Sequence, residues 1–273
     1  AELPLHHALL LGLVQGPTEV LPVSSSAHIA LLPRLAGWPH VEQDAELRNS
    51  LEVALHAGTA AALALALRGE LRQTLREVDG RAVTSAALAL APPALVGYLM
   101  EQRLERRPSG PRALATGLAV GAAAMAWADT HPGIRNLADF GPRDGLALGF
   151  AQALALLPGV SRNGATLTAA RARGFAREDA QALSWRVGLP VIAGAAGLKA
   201  SRASVSLIGP RFGRHGAPPG AAAALAVGTV AAFLSTLACA PLIRRGRRTG
   251  ALWPFALYRA GLALAAVTSP NSP

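Results

Sequence analysis

Two short polar runs interrupt a chain otherwise built of long apolar segments, and the two runs match each other. The first is Gln15-Gly16-Pro17-Thr18-Glu19-Val20-Leu21-Pro22-Val23-Ser24-Ser25-Ser26-Ala27-His28. The second is Gln152-Ala153-Leu154-Ala155-Leu156-Leu157-Pro158-Gly159-Val160-Ser161-Arg162-Asn163-Gly164-Ala165-Thr166. At an offset of 137 residues, Leu11-Gly12, Gln15 and Val23-Ser24 fall on Leu148-Gly149, Gln152 and Val160-Ser161. Polar backbone inside an apolar layer survives only where protein or a wet cavity satisfies it. The pattern therefore predicts two broken or re-entrant helices whose polar parts meet in an interior cavity.

Only 15% of the residues are charged and 51% are hydrophobic, against about 25% charged in a soluble domain. That deficit points to an all-α polytopic membrane protein. Ala, Leu and Val supply most of the apolar content, and scattered Gly suits closely packed membrane helices. Apolar segments lie near 3–14, 51–67, 82–100, 113–128, 144–157, 184–200, 219–243 and 251–267. Those at 3–14 and 144–157 are short and run into the polar copies; the stretches at 27–36 and 164–174 that follow are short and helix-compatible. The stretches 39–50 and 203–218 read as loops. The chain reads as a single integral membrane domain, with repeat halves at about 1–128 and 129–273.

The net charge of +10 falls mainly between the apolar segments. It reads as loop charge that sets topology and meets anionic headgroups. No aromatics are interleaved with it, which argues against nucleic acid. Arg244-Arg245-Gly246-Arg247-Arg248 predicts a cytoplasmic end, and alternation puts 68–81 there too. The 101–112 stretch then falls outside although it holds Arg103, Arg106, Arg107 and Arg112. Cys239 is the lone cysteine and is expected to be inert. The N-terminus has no basic run or cleavage site, so no removable signal peptide is expected.

Glu19 sits among Pro, Val and Leu, and an intramembrane carboxylate is a functional candidate by default; the plainer reading is a helix-end residue reaching the headgroups. Gln15, four residues earlier, shares its helix face. The pair offers oxygen ligands for Mg²⁺ or Ca²⁺, with phosphate completing the shell, or Glu19 acts as a base. Ser24, Ser25 and Ser26 are expected to cap the helix after Pro22, and a helix N-terminus also receives anions. His28 beside them is a candidate acid or base. Arg162 presents a permanently charged fork to phosphate, backed by Ser161, Asn163, Gly164 and Thr166 in a Gly-flanked loop. Neither run is a Walker A motif, so nucleotide hydrolysis is not indicated. Glu52 and His56, four apart in an apolar helix, either line the cavity or pack. Trp253-Pro254-Phe255 and Tyr258-Arg259 read as an interfacial belt with an anchor. Arg186 reads as an end anchor.

Taken together, these runs resemble the undecaprenyl-diphosphate phosphatase family, the bacitracin-resistance proteins. Glu52-Val53-Ala54-Leu55-His56-Ala57-Gly58-Thr59 and Pro254-Phe255-Ala256-Leu257-Tyr258-Arg259 extend the resemblance over nearly the whole chain. It implies a multi-pass protein of the bacterial inner or plasma membrane, built as an inverted repeat with two re-entrant hairpins and an outward-facing site. It further implies removal of the terminal phosphate of undecaprenyl diphosphate with a divalent cation, recycling the lipid carrier of cell-wall precursors. Glu19, Ser25, His28 and Arg162 then fall on catalytic positions, with Ser25 as nucleophile and Arg162 as phosphate clamp. Ser24, Ser26, Ser161, Asn163, Gly164 and Thr166 become substrate contacts, and Gln15 and Glu19 metal ligands. Partners are the polyprenyl diphosphate and membrane lipids, with a homodimer admitted. Gln15 stands where many members have Glu, which removes one anionic ligand; Asn163 replaces a common Ser, Val20 a Phe and Pro17 a Leu. Attack by Ser25 or directly by water remain alternatives. So do a transporter or flippase, or an inactive binder, of the same kind of lipid.

Overall fold

The computed structural model describes residues 3–38, 45–76, 79–106, 110–208, 220–249 and 251–268. Within them the chain is helical: α1 (Leu5–Val20), α2 (Ser25–Leu35), α3 (Ala45–Ala66), α4 (Arg68–Arg76), α5 (Gly80–Arg106), α6 (Pro111–Asp129), α7 (Pro142–Leu154), α8 (Arg162–Ala172), α9 (Arg177–Ile208), α10 (Ala221–Thr249) and α11 (Trp253–Thr268). Two stretches, Gly80–Met100 in α5 and Ala221–Ile243 in α10, are long and apolar enough to cross a membrane. The helices that carry the polar runs are short, as their sequence implies: 16 and 11 residues for α1 and α2, 13 and 11 for α7 and α8.

Several sequence expectations shift. Helix α3 already starts at Ala45, within the stretch read as a loop at 39–50, and α9 continues to Ile208, within the one read at 203–218. Residues 39–44 and 209–218 lie outside the described residues, as does Arg107. Helix α9 begins at Arg177 rather than near 184. Arg186 is therefore well inside it and half-buried, not an end anchor.

The first helix of each polar run docks on one of the two long apolar helices through glycine. On α1, a Cβ at Gly12 or Gly16 would meet Ala231 or the Ser235–Thr236 backbone of α10. On α7, a Cβ at Gly145 or Gly149 would meet the Ser85 or Leu88 carbonyl of α5. Small residues four apart let backbones approach, and dispersion holds such contacts in an apolar medium. The pairing crosses the chain: the N-terminal run rides on the C-terminal long helix, and the second run rides on the first long helix.

Apolar clusters fix the directions. Leu3, Ala8 and Leu11 pack with Leu47, Leu51, Ala221 and Ala224 at one end. Val20 packs with Leu63, Leu67, Trp185 and Ile243, and with Leu71 and Leu242 at their edge, at the other. So α1, α3 and α10 run parallel, and the start of α4 shares an end with the close of α10. The charge pattern likewise puts 68–81 and 244–248 on one side.

That end carries a network of charges. Asp144 accepts hydrogen bonds from Arg135 at 2.9 and 2.7 Å and from Arg173 at 2.8 Å. Asp129, just past the apolar stretch of α6, takes Arg177 at 2.8 Å and caps α11 by accepting from the Leu252 and Trp253 amides. Burial pushes its carboxyl up, but Arg177 and the two amides outweigh that and hold it below the usual range. Arg171, read from sequence as loop charge, is instead 3% exposed and donates to the carbonyls of Phe175 and His131. Both carbonyls lie in the turns just past α8 and α6, and a long guanidinium reaches the two.

Candidate active site

Glu19 closes α1 and Arg162 opens α8. Each is at the unfavourable end of its own helix dipole, a negative group at a C-terminus and a positive one at an N-terminus. They offset each other: Arg162 Nη2 lies 3.1 Å from Glu19 Oε1. The two polar runs therefore do meet, although 143 residues separate the pair. Sequence gave Glu19 no nearby cation; the fold supplies one.

Ser25 donates its hydroxyl to the other Glu19 oxygen, Oε2, at 2.6 Å. Serine and glutamate are each 8% exposed, so the bond sits in low dielectric, where a charge-assisted contact is strong. His28 is placed differently. Its Nδ1 lies 2.7 Å from the Ser24 carbonyl, which can only accept, so Nδ1 carries the proton. Its Nε2 faces the Tyr258 hydroxyl at 2.7 Å. Of the two candidate bases, Glu19 is the one hydrogen-bonded to Ser25, while both ring nitrogens of His28 face other groups. His56 supplies a second imidazole: Nδ1 bonds the Glu52 carbonyl at 2.8 Å, and Nε2 stands 3.9 Å from Glu19 Oε2.

The serine run does not cap α2. Ser24 occupies the N-cap position without a side-chain cap bond, and its hydroxyl lies 3.3 Å from that of Ser26. Its φ of 75° is the one positive value at a non-glycine among the described residues. Such a conformation costs on the order of 1–3 kcal/mol, and such strain clusters at functional sites. It turns the chain sharply between Glu19 and Ser25 and leaves the start of α2 without a side-chain cap.

The second run is organised in the opposite way. Ser161 caps α8, accepting from the Gly164 amide at 3.1 Å. Asn163 donates to the Val20 carbonyl at 2.9 Å and accepts from Ser184 at 2.7 Å. Thr166 bonds the Arg162 carbonyl at 3.0 Å and meets Ser184. The polar atoms of Asn163 and Thr166 and the Gly164 amide, expected to face substrate, are thus spent inside the protein. They fasten α8 to α1 and α9. Arg162 keeps one donor free: Nη1 is buried without a partner. Gly188 makes the room, since a Cβ there would strike that guanidinium, and the Trp185 ring lies 5.3 Å from its carbon.

Gln15 is fully buried, one turn before Glu19, and neither atom of its amide has a hydrogen-bond partner. An orphaned amide in such a place costs about 1–3 kcal/mol. Its oxygen and the Glu19 carboxylate, four residues on, are donors of the kind an oxygen-seeking cation such as Mg²⁺ takes. Among the described residues no three His, Cys, Asp or Glu gather to hold a metal.

Three participants were missed or misjudged from sequence. Tyr258 faces His28 across the chain. Arg259, read as an interfacial anchor, is instead 1% exposed. Its guanidinium points inward because Gly121 leaves space for it. Gly188 carried no sequence signal at all. A cavity of about 270 Å³ opens behind Val20–Pro22, walled by Arg171, Arg177 and Phe255; neither Glu19, Ser25 nor Arg162 lines it.

Residues 8–265 match the family described as bacitracin resistance protein BacA. The chain is 38% identical over 267 residues to a protein named undecaprenyl-diphosphatase in Geobacter metallireducens, covering 93% of each chain. It is 36% identical over 282 residues to one of the same name in Geotalea daltonii, covering 98% of each. A third, from Chromohalobacter salexigens, is 33% identical over 265 residues.

Proposed function

The chain belongs to the bacitracin resistance protein BacA family, and on that premise we propose that it is an undecaprenyl-diphosphate phosphatase acting through Ser25, Glu19 and Arg162. The observation that carries the residue assignment is one buried carboxylate shared by a serine hydroxyl at 2.6 Å and a guanidinium at 3.1 Å with a donor left free.

In this reading the terminal phosphate lies against Arg162 Nη1 and the uncapped start of α2. Ser25 Oγ attacks phosphorus as Glu19 takes its proton, and the bond from phosphorus to the bridging oxygen breaks as Glu19 passes that proton to the departing polyprenyl monophosphate. Glu19, again a carboxylate, deprotonates a water that attacks the phosphoserine; the bond from phosphorus to Ser25 Oγ breaks, Oγ takes the proton back from Glu19, and inorganic phosphate leaves. Arg162 and the helix start oppose charge on the phosphoryl oxygens, where most of the rate gain in such reactions arises. Gln15 and Glu19 would hold a Mg²⁺ or Ca²⁺, which neutralises diphosphate charge when bound. Ser161, Asn163, Gly164 and Thr166 position Arg162. Ser24 and Ser26 shape the start of α2, and His28 with Tyr258 fixes the turn before it.

The same reading takes the chain as one multi-pass membrane domain with halves at 1–128 and 129–273. It is an inverted repeat whose hairpins, α1–α2 and α7–α8, are re-entrant. The shared glycine docking, the crossed partners and the short polar-run helices support it. The Arg-rich end is cytoplasmic and the site is reached from the opposite side. Exposed Leu95, Leu99, Leu257 and Leu264 meet lipid, or a second copy in a homodimer. The test is phosphate release from purified protein given a polyprenyl diphosphate, with and without chelator. Release abolished by Ser25→Ala is expected. Substrate movement across liposomes without hydrolysis would overturn the reading in favour of transport.

A further inference from the structure

Arg259 is the most deeply buried cation in the described chain, and no carboxylate pairs with it there. It is 1% exposed. Its Nη1 reaches the Pro22 carbonyl at 3.4 Å; its Nη2 reaches the Gly117 carbonyl at 3.4 Å and the Gly159 carbonyl at 3.2 Å. Nε has no partner. These bonds are longer than the usual 2.9–3.0 Å, so they compensate only part of the desolvation of a guanidinium. A group this costly is ill suited to stabilising the fold.

The carbonyls it gathers suggest its purpose. Pro22 lies three residues before Ser25, and Gly159 lies three before Arg162. Gly117 belongs to α6, against which the second run turns: a Cβ on Gly117 would strike the Pro158 carbonyl. The guanidinium thus touches both polar runs and the helix they lean on. Only a planar five-donor fork can reach three carbonyls on three elements; an ammonium offers its donors from a single point. Gly121 and Gly164 are shaped around it, since a Cβ on either would approach Arg259 Nη2 or Nη1. The preceding residue, Tyr258, holds His28 of the first run.

We propose that Arg259 is a positioning residue that sets the spacing between the Ser25–Glu19 turn and the Arg162 loop, holding nucleophile and phosphate clamp in register without itself touching substrate. The inference rests on the phosphatase reading above. Small misplacements of reacting groups cost rate heavily, so the loss should fall on turnover and leave substrate affinity nearly intact.

The test compares wild type with Arg259→Met, Arg259→Lys and Gly121→Ala. Phosphate release from a polyprenyl diphosphate is measured beside amide hydrogen exchange. Arg259→Met is expected to remain folded, to lose at least 30-fold in kcat and to change KM by less than threefold. Arg259→Lys should not restore turnover. Gly121→Ala, whose methyl displaces the guanidinium, should lower kcat likewise and add little to Arg259→Met, because both remove the same contact. Exchange should rise in peptides covering 21–28 and 158–166 and stay unchanged elsewhere.

A kcat within threefold of wild type in Arg259→Met overturns the proposal. So does a KM raised more than tenfold, which would make Arg259 a substrate ligand, or effects of the two variants that multiply. If Arg259→Met does not fold, Arg259→Lys and Gly121→Ala carry the same comparison. A wild type that releases no phosphate refutes the phosphatase reading; the exchange pattern still decides whether Arg259 ties the two runs together.

Discussion

Replacing Glu19 by Gln tests two roles of one carboxylate at once, because shape is kept while charge is lost. The first role is kinetic. Ser25 donates to Glu19 Oε2 at 2.6 Å, and an amide oxygen cannot take its proton. Loss of a positioned general base costs about 10²–10⁴ in rate, so a kcat decrease of roughly 10³ is expected, or about 4 kcal/mol of barrier at 1.36 kcal/mol per decade. The second role is structural. The Glu19 and Arg162 side chains are 9% and 13% exposed, and breaking a buried pair from one side costs about 3–5 kcal/mol. Gln still accepts one bond from Arg162, which favours the lower figure, about 3 kcal/mol. At about 2–4 °C per kcal/mol for chains of this size, the melting temperature should fall roughly 6–12 °C.

The double variant Glu19→Gln/Arg162→Met separates the roles. Removing both charges leaves no unpaired ion, so much of the thermal loss should return, while phosphate release stays at background. Both readouts need only purified protein in one detergent: thermal unfolding followed by intrinsic fluorescence, and single-substrate kinetics. A Glu19→Gln protein turning over within tenfold of wild type would refute Glu19 as the base. A double variant no more stable than Glu19→Gln would refute the pair as a charge-compensating contact.

Gly117→Ala drives a methyl into the Pro158 carbonyl and should cost about 1–3 kcal/mol by overpacking, with loss of turnover as the loop before Arg162 shifts; unfolding and kinetics both report it. Gln15→Glu adds a second carboxylate beside Glu19 and should lower the Mg²⁺ concentration for half-maximal activity, read by titration after chelation; an unchanged midpoint would remove Gln15 from the metal site. The Asp129 carboxyl is held below its ordinary value, so its stabilisation is complete above about pH 3.9 and fades as pH falls through the lowered folded value. The melting-temperature gap between wild type and Asp129→Asn should therefore be full at neutral pH and close in acid.

The parts legible in sequence were those that break a pattern. Glu19 and Arg162 were visible because charge in an apolar segment is costly wherever it sits, and the short helices because proline and glycine bracket them. What could not be read was partnership. Nothing near His28 in the chain announces that its ring faces Tyr258 rather than Ser25, since 230 residues separate the two. Arg259 looked like an anchor because Trp253, Phe255 and Tyr258 precede it as an aromatic belt. The burial of one helix face is decided by Gly121 on another helix. The capping role expected of the serines failed for a related reason: Ser24 takes the N-cap position with a φ of 75°, and its hydroxyl faces that of Ser26 at 3.3 Å rather than an amide of α2.

The glutamine that recurs at the 137-residue offset sits in two different surroundings. Gln152 is 2% exposed and donates to the Ala89 carbonyl of α5 at 3.0 Å. There the amide helps hold α7 on its long helix. Gln15, at the matching place on α1, is more deeply buried and bonds nothing. Helix α1 does not need it for docking, because Ser235 reaches across from α10 to the Gly12 carbonyl at 2.8 Å. With docking supplied from the other side, the residue one turn before Glu19 is released from structural duty. A buried amide without a partner is costly to the fold, and a bound cation would offset that cost. The asymmetry between the two copies supports the proposed cation site on the first run, while the second run grips and places Arg162.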